Sequence, residues 1–175
     1  MSTTQFPSSN ANSNRHQRTV VLWLKSKGFA VKDVSADPVF QTQDIDLIVM
    51  RGAARRTVEF KADNVIGKTG NLVFEIVSNL ERATLGCLMY SKADWLYYYD
   101  VQSGHLHMIR LKPLRLLFSS RKLKSGSWAS AQTAVGQTAY TTINLLIPLR
   151  RIKDDMPAND YRWYDLSSFA GEGES

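Results

Sequence analysis

Asp44-Ile45-Asp46-Leu47-Ile48-Val49-Met50 and Arg55-Arg56-Thr57-Val58-Glu59-Phe60-Lys61, joined by Arg51-Gly52-Ala53-Ala54, decide how this chain folds. Two apolar-rich runs around a short link with a glycine read as two strands and a tight turn. Successive strand side chains point to opposite faces, so Glu59 and Lys61 share one face. With residues 51–54 as the loop, antiparallel pairing sets Asp46 opposite Glu59. Two carboxylates directly opposed on a sheet repel each other. A hard divalent cation such as magnesium binds carboxylate oxygens and cancels that repulsion. A lysine beside the metal can hold or polarise a water or a phosphate oxygen. Those parts suffice for metal-assisted phosphodiester hydrolysis. The plainer reading is a solvated hairpin face with a cross-strand charge pair. Against it, Ile45, Leu47, Ile48, Val49, Val58 and Phe60 make the strands apolar, and ionic groups facing each other in a buried sheet usually serve a site. Asp44 lies on the same strand face as Asp46 and is its rival. In this register it opposes Lys61, where a salt bridge is its plainer role.

Asp46, a twelve-residue gap and Glu59-Phe60-Lys61 together resemble the core motif of the PD-(D/E)XK nuclease superfamily. The resemblance spans roughly residues 13–100. It implies an α/β fold with a restriction-endonuclease-like core, a mixed central sheet of four or five strands flanked by helices. It also implies a magnesium-dependent endonuclease acting on DNA, with manganese as a substitute metal. Asp46 and Glu59 would ligate the metal, the Phe60 backbone carbonyl would complete its shell, and Lys61 would serve the attacking water. Ile45 stands where the family often has proline, and the first helix lacks the glutamate that many relatives add as a ligand. Glu75 falls on the strand after Glu-x-Lys, where relatives often place another polar residue, and is a candidate further ligand. An exposed strand glutamate is its plainer reading. Dimerisation is common in the family.

The charge of +6 is unevenly placed. Residues 1–100 carry 12 Lys/Arg and 10 Asp/Glu, residues 101–153 carry nine Lys/Arg and no acid, and residues 154–175 carry one Arg and six acids. A long acid-free basic block is the electrostatic footprint of a polyanion partner, here DNA. Arg115, Arg121, Lys122, Lys124, Arg150 and Arg151 are its candidate phosphate contacts, with Lys68, Asn71 and Lys92 beside the Glu-x-Lys strand. Two other readings compete: a nucleic-acid-binding protein with a nuclease-like fold but no catalysis, and an accessory protein whose basic block binds an acidic partner. A pure binder has no need of a lysine beside paired carboxylates. No apolar run approaches the ~18 residues of a membrane span. The single cysteine, Cys87, rules out an internal disulfide framework and fits a reducing, cytoplasmic setting. It reads as a small buried hydrophobe.

The 175 residues suggest one nuclease-like domain over 13–165, a disordered polar tail over 1–12 and a frayed acidic end over 166–175. Patterning predicts a helix from 13 or 14 to 27, then strands at 30–34, 72–78, 93–101, 105–109 and 141–148. It predicts a helix at 112–118 and a mobile basic segment at 119–136. Residues 62–69 nearly spell a phosphate-binding P-loop, but Ala62 stands where glycine is needed and a strand follows instead of a helix. His105 and His107 could face one metal but lack a third ligand nearby, and read as exposed strand residues. Trp95 and Tyr97–Tyr99 read as a buried strand rather than a base-stacking platform.

Overall fold

Leu47, Val49, Val58 and Phe60 are buried on one face of the hairpin and Ile48 on the other, so this sheet must be covered on both sides. The computed structural model describes residues 9–120, 127–135 and 138–169. The chain begins with helix α1 (Ser9–Ser26), strand β1 (Ala30–Asp33), a short helix α2 (Pro38–Gln41) and the hairpin of β2 (Leu47–Arg51) and β3 (Ala54–Asp63). A single turn α3 (Ile66–Thr69) leads to β4 (Asn71–Asn79), β5 (Thr84–Leu85) and α4 (Cys87–Tyr90). Then come β6 (Trp95–Asp100), β7 (His105–Arg110), α5 (Leu111–Ser119), β8 (Ser127–Val135), β9 (Thr138–Pro148), α6 (Leu149–Asp155) and β10 (Tyr161–Asp165).

Six strands form a mixed sheet in the order β1-β2-β3-β6-β7-β10, in which, among the described residues, β3 and β6 are the one parallel neighbouring pair. A second, antiparallel sheet has the order β5-β4-β9-β8. On one face of the six-stranded sheet, Val20, Trp23 and Leu24 of α1 cover Val58, Phe60, Tyr97 and Leu106. On the other, Leu72 and Phe74 of β4, Leu145 and Ile147 of β9, and Leu114 of α5 cover Ile48, Leu96, Tyr98 and Ile109. Glu59 and Lys61 alternate with Val58 and Phe60, so they project into this second layer, toward β4. The α/β class and mixed sheet match the expectation; the strand number exceeds it, because β10 and the whole second sheet join the core.

Several local expectations need correction. Helix α1 starts at Ser9, inside the stretch read as a disordered tail. Residues 127–135, read as mobile, form β8 paired to β9 over nine positions. The end read as frayed from 166 is tied down at its start: Leu166 is fully buried and its N–H donates to Gly104 O at 2.9 Å. The reading of His107 as exposed also fails, since it is buried on β7 with Nδ1 2.9 Å from the Tyr161 hydroxyl. Burial pushes its imidazole down to about 4, so it is neutral at pH 7. Trp95 and Tyr97–Tyr99 are buried as expected. Among the described residues no helix is long and apolar enough to cross a membrane.

Candidate active site

The hairpin adopts the register read from the sequence. Leu47 pairs with Val58 and Arg51 with Ala54, and the ladder ends there; Asp46 lies one residue out of that register, with its carboxyl meeting that of Glu59. The Asp46 N–H donates to Val58 O at 2.8 Å. Beyond that point the β2 backbone turns away, with Asp44 at φ 56° and the Ile45 N–H donating to Phe40 O. The Phe60 N–H therefore has no β2 carbonyl opposite it, and donates to Asp46 Oδ2 at 2.8 Å instead. The N–H and C=O of a strand residue leave by the same edge, so the Phe60 carbonyl lies on the Asp46 side.

This geometry forces carboxyl groups together in a half-buried space. Burial, with the charges of Asp46 and Asp44 added, pushes Glu59 up to about 10, and Lys61 offsets only part of that. Glu59 is thus a neutral acid at pH 7, hydrogen-bonded to Asp46. Asp46 is itself raised by burial, against the stabilising Phe60 N–H and Glu59 proton. Asp44 is raised by burial too, with the charges of Asp46 and Glu75 adding to it. Its Oδ1 accepts from the Tyr90 hydroxyl at 3.1 Å, while its buried Oδ2 has no hydrogen-bond partner.

Lys61 crosses the gap between the two sheets. Its Nζ donates to Val73 O on β4 at 3.1 Å and lies 5.8 Å from the centre of the Tyr98 ring. The Tyr98 hydroxyl donates to Asp63 and accepts from the Val73 N–H at 3.2 Å. Lys61 is thus held by β4 rather than by the salt bridge to Asp44 that the register alone suggested. Glu75, also on β4, stands opposite Asn144 and is half-buried, close enough for its charge to act on Asp44 and Cys87. The Cys87 thiol is pushed up to about 11 by burial, so it is no nucleophile at neutral pH. Among the described residues no three His, Cys, Asp or Glu side chains converge to hold a metal on their own.

The expected phosphate contacts divide. Asn71 pairs with Pro148, and the Leu149 N–H donates to Gly70 O at 2.8 Å, so Lys68, Asn71 and Arg150 meet at one edge. Lys68, Lys92 and Arg150 are exposed. Arg115 is engaged within the chain: its Nε donates to Leu88 O at 2.6 Å and a terminal nitrogen to Ser91 O at 2.5 Å. It anchors the end of α4, a structural role beside the phosphate contact expected of it. Arg151 pairs with Asp155 at 2.9 Å. Arg121, Lys122 and Lys124 lie outside the described residues. Tyr90 and Tyr98 went unrecognised as site residues in the sequence. Tyr98 had a signal only as part of an apolar run, because the parallel pairing of Lys61 with Tyr98 joins distant segments.

No family model matches the chain, and no curated protein matches it. A solved structure of a bacterial homing endonuclease, I-Ssp6803I, is similar at 15% identity with a TM-score of 0.47, over 61% of this chain and 71% of that one.

Proposed function

We propose that this protein is a magnesium-dependent endonuclease that hydrolyses DNA phosphodiester bonds through a PD-(D/E)XK site. The observation that carries the reading is the meeting of the Asp46 and Glu59 carboxyls at the end of the hairpin, with Lys61 two residues on along the same strand face. Opposed buried carboxylates destabilise a fold unless a proton or a cation lies between them. The residues present fit a hard cation: two carboxylates, the Phe60 carbonyl on the same side, and the partnerless Asp44 Oδ2 nearby. Asp46, Glu59 and the Phe60 carbonyl would hold the metal. Bound there, magnesium supplies a water of lowered pKa and stabilises charge developing on the phosphate.

The chain's own residues do the rest. Glu59 must release its shared proton before both carboxylates can act as ligands. Asp46 is oriented by the Phe60 N–H, which donates to its Oδ2 at 2.8 Å. Lys61, held between Val73 O and the Tyr98 ring, would position the attacking water or a phosphate oxygen. Glu75, half-buried on β4, would be a further acid. Incubation of purified protein with duplex, single-stranded and branched DNA tests the reading. Cleavage should require magnesium or manganese and stop with EDTA. Cleavage undiminished by EDTA, in protein free of contaminating nuclease, would overturn it.

A further inference from the structure

We infer a second anion site, an arginine-walled cleft that takes a phosphate group on the sheet face opposite Glu59 and Lys61. The cleft has a volume of about 370 Å³ and is lined by Arg55, Arg56, Arg110 and Arg162 around Trp95, with Asp94 and Asn159 at its edge. The four arginines and Trp95 come from β3, β6, β7 and β10, so a rigid sheet holds them rather than a loop.

Strand register explains why they converge. Trp95 pairs with Val58 on one side and Arg110 on the other, while Arg162 stands across from Met108. Val58, Trp95 and Met108 all belong to the core layer under α1. Arg56, Arg110 and Arg162 share that parity and extend the layer past its apolar part, while Arg55, which has the parity of Glu59, lines the cleft from the end of β3. The Trp95 indole, almost wholly buried, is the floor. The Arg56 and Arg110 guanidinium carbons lie 5.4 Å and 5.9 Å from its ring centre. Stacking on an aromatic leaves the guanidinium N–H edges pointing outward as planar forks.

The charge balance favours an anion. Asp94 is already committed, its Oδ2 accepting from the Thr57 N–H at 2.8 Å and the Thr57 hydroxyl at 2.9 Å. Asp160 pairs with Arg110 at 3.0 Å. Against these two acids stand four arginines, which leaves the cleft with two positive charges in excess. Guanidinium forks match phosphate oxygens bidentately. At ~30 Å³ per water, the cleft exceeds a bare phosphate and has room for the sugar that carries it. The ligand class is therefore a phosphate group borne by a nucleotide unit, either in a nucleic-acid chain or free. This inference stands apart from the cleavage chemistry, because the cleft shares no residue with the metal-binding pair.

The test uses the full chain and the variants Arg55→Gln/Arg162→Gln and Arg55→Lys/Arg162→Lys. Thermal unfolding is followed in inorganic phosphate, AMP and chloride at equal ionic strength. Affinity for a fluorescent duplex oligonucleotide is then measured against salt, in EDTA. Phosphate and AMP should raise the melting temperature of the wild-type chain above its value in chloride, and the Gln variant should lose that rise. A salt slope shallower by about 2 in the Gln variant places the phosphate in a nucleic-acid chain. An unchanged slope with AMP stabilisation lost places it in a free nucleotide. Should the Gln variant not fold, the Lys variant decides: it keeps the charge but not the fork, and its phosphate affinity should fall several-fold. No stabilisation of the wild-type chain by phosphate or AMP beyond chloride, together with equal salt slopes in the wild-type chain and the folded variant, would overturn the site.

Discussion

Glu59 carries the most testable physics at the residue scale. Its carboxyl is raised from an ordinary 4.5 to about 10, so the folded protein holds a proton that the unfolded chain gives up above about 4.5. The folded state then binds more protons than the unfolded state across that window, and stability falls as pH rises. The stabilising contribution is complete below about 4.5 and lost on the way to about 10. The slope is at most about 1.4 kcal/mol per pH unit for one proton, and smaller to the extent that water reaches the site. Glu59→Gln should flatten this dependence and raise stability at pH 8 by about 1–3 kcal/mol, while abolishing cleavage. Urea unfolding of both proteins at pH 5 and pH 8 checks it; equal pH dependence would mean that Glu59 is ionised in the folded state. Magnesium binding should release the same proton, which calorimetry in buffers of different ionisation enthalpy reads directly. Lys61→Ala should cut cleavage by ~10²-fold or more with little change in DNA affinity. Cleavage at the normal rate in that variant would remove the lysine from the chemistry.

At the scale of elements, the hairpin was legible because two independent signals agreed. A continuous apolar run marked β2 and the Val58-Glu59-Phe60-Lys61 alternation marked β3, and the short glycine-bearing link fixed the register that brings Asp46 beside Glu59. The rest of the site was hidden because it depends on contacts between distant segments. Nothing local to Val73 says that its carbonyl accepts from Lys61, and nothing local to Gly86 says that it lies against Glu75. Yet a Cβ at Gly86 would press into the Glu75 backbone carbonyl and its Cγ. The Gly86 N–H also donates to Ile76 O at 2.8 Å, which ties the start of α4 to β4. Gly86→Ala must move one of these backbones and should cost about 1–3 kcal/mol, read as a lower urea midpoint. The displaced strand carries Val73, so cleavage should fall with stability. A variant as stable as the parent would show that α4 and β4 are not in contact at this point.

At the scale of the whole molecule, the basic block is where sequence and fold part company. An acid-free run from 101 to 153 invites the reading of one polyanion surface, but a charge count ignores what the chain brings alongside. Folding sets Asp160 beside Arg110 and Asp155 beside Arg151, ties the half-buried Arg115 guanidinium to two carbonyls, and lays Lys153 over Trp163 at 5.4 Å. Arg150 instead stands exposed where the end of β9 meets the Lys68–Asn71 edge. Two arginines of one block should therefore answer differently to the same substitution. Arg150→Ala should leave stability within about 0.5 kcal/mol and make the slope of log affinity against log salt shallower by about 1 for duplex DNA. The loss should be similar across sequences, since phosphate contacts carry no base information. Arg115→Ala should strand the Leu88 and Ser91 carbonyls, lower stability by about 1–3 kcal/mol, and leave the salt slope of the folded protein unchanged. Salt titrations of fluorescent duplex binding beside urea unfolding separate the two. A shallower slope in Arg115→Ala would return that arginine to the DNA surface, and an unchanged slope in Arg150→Ala would take the Lys68–Asn71 edge off it.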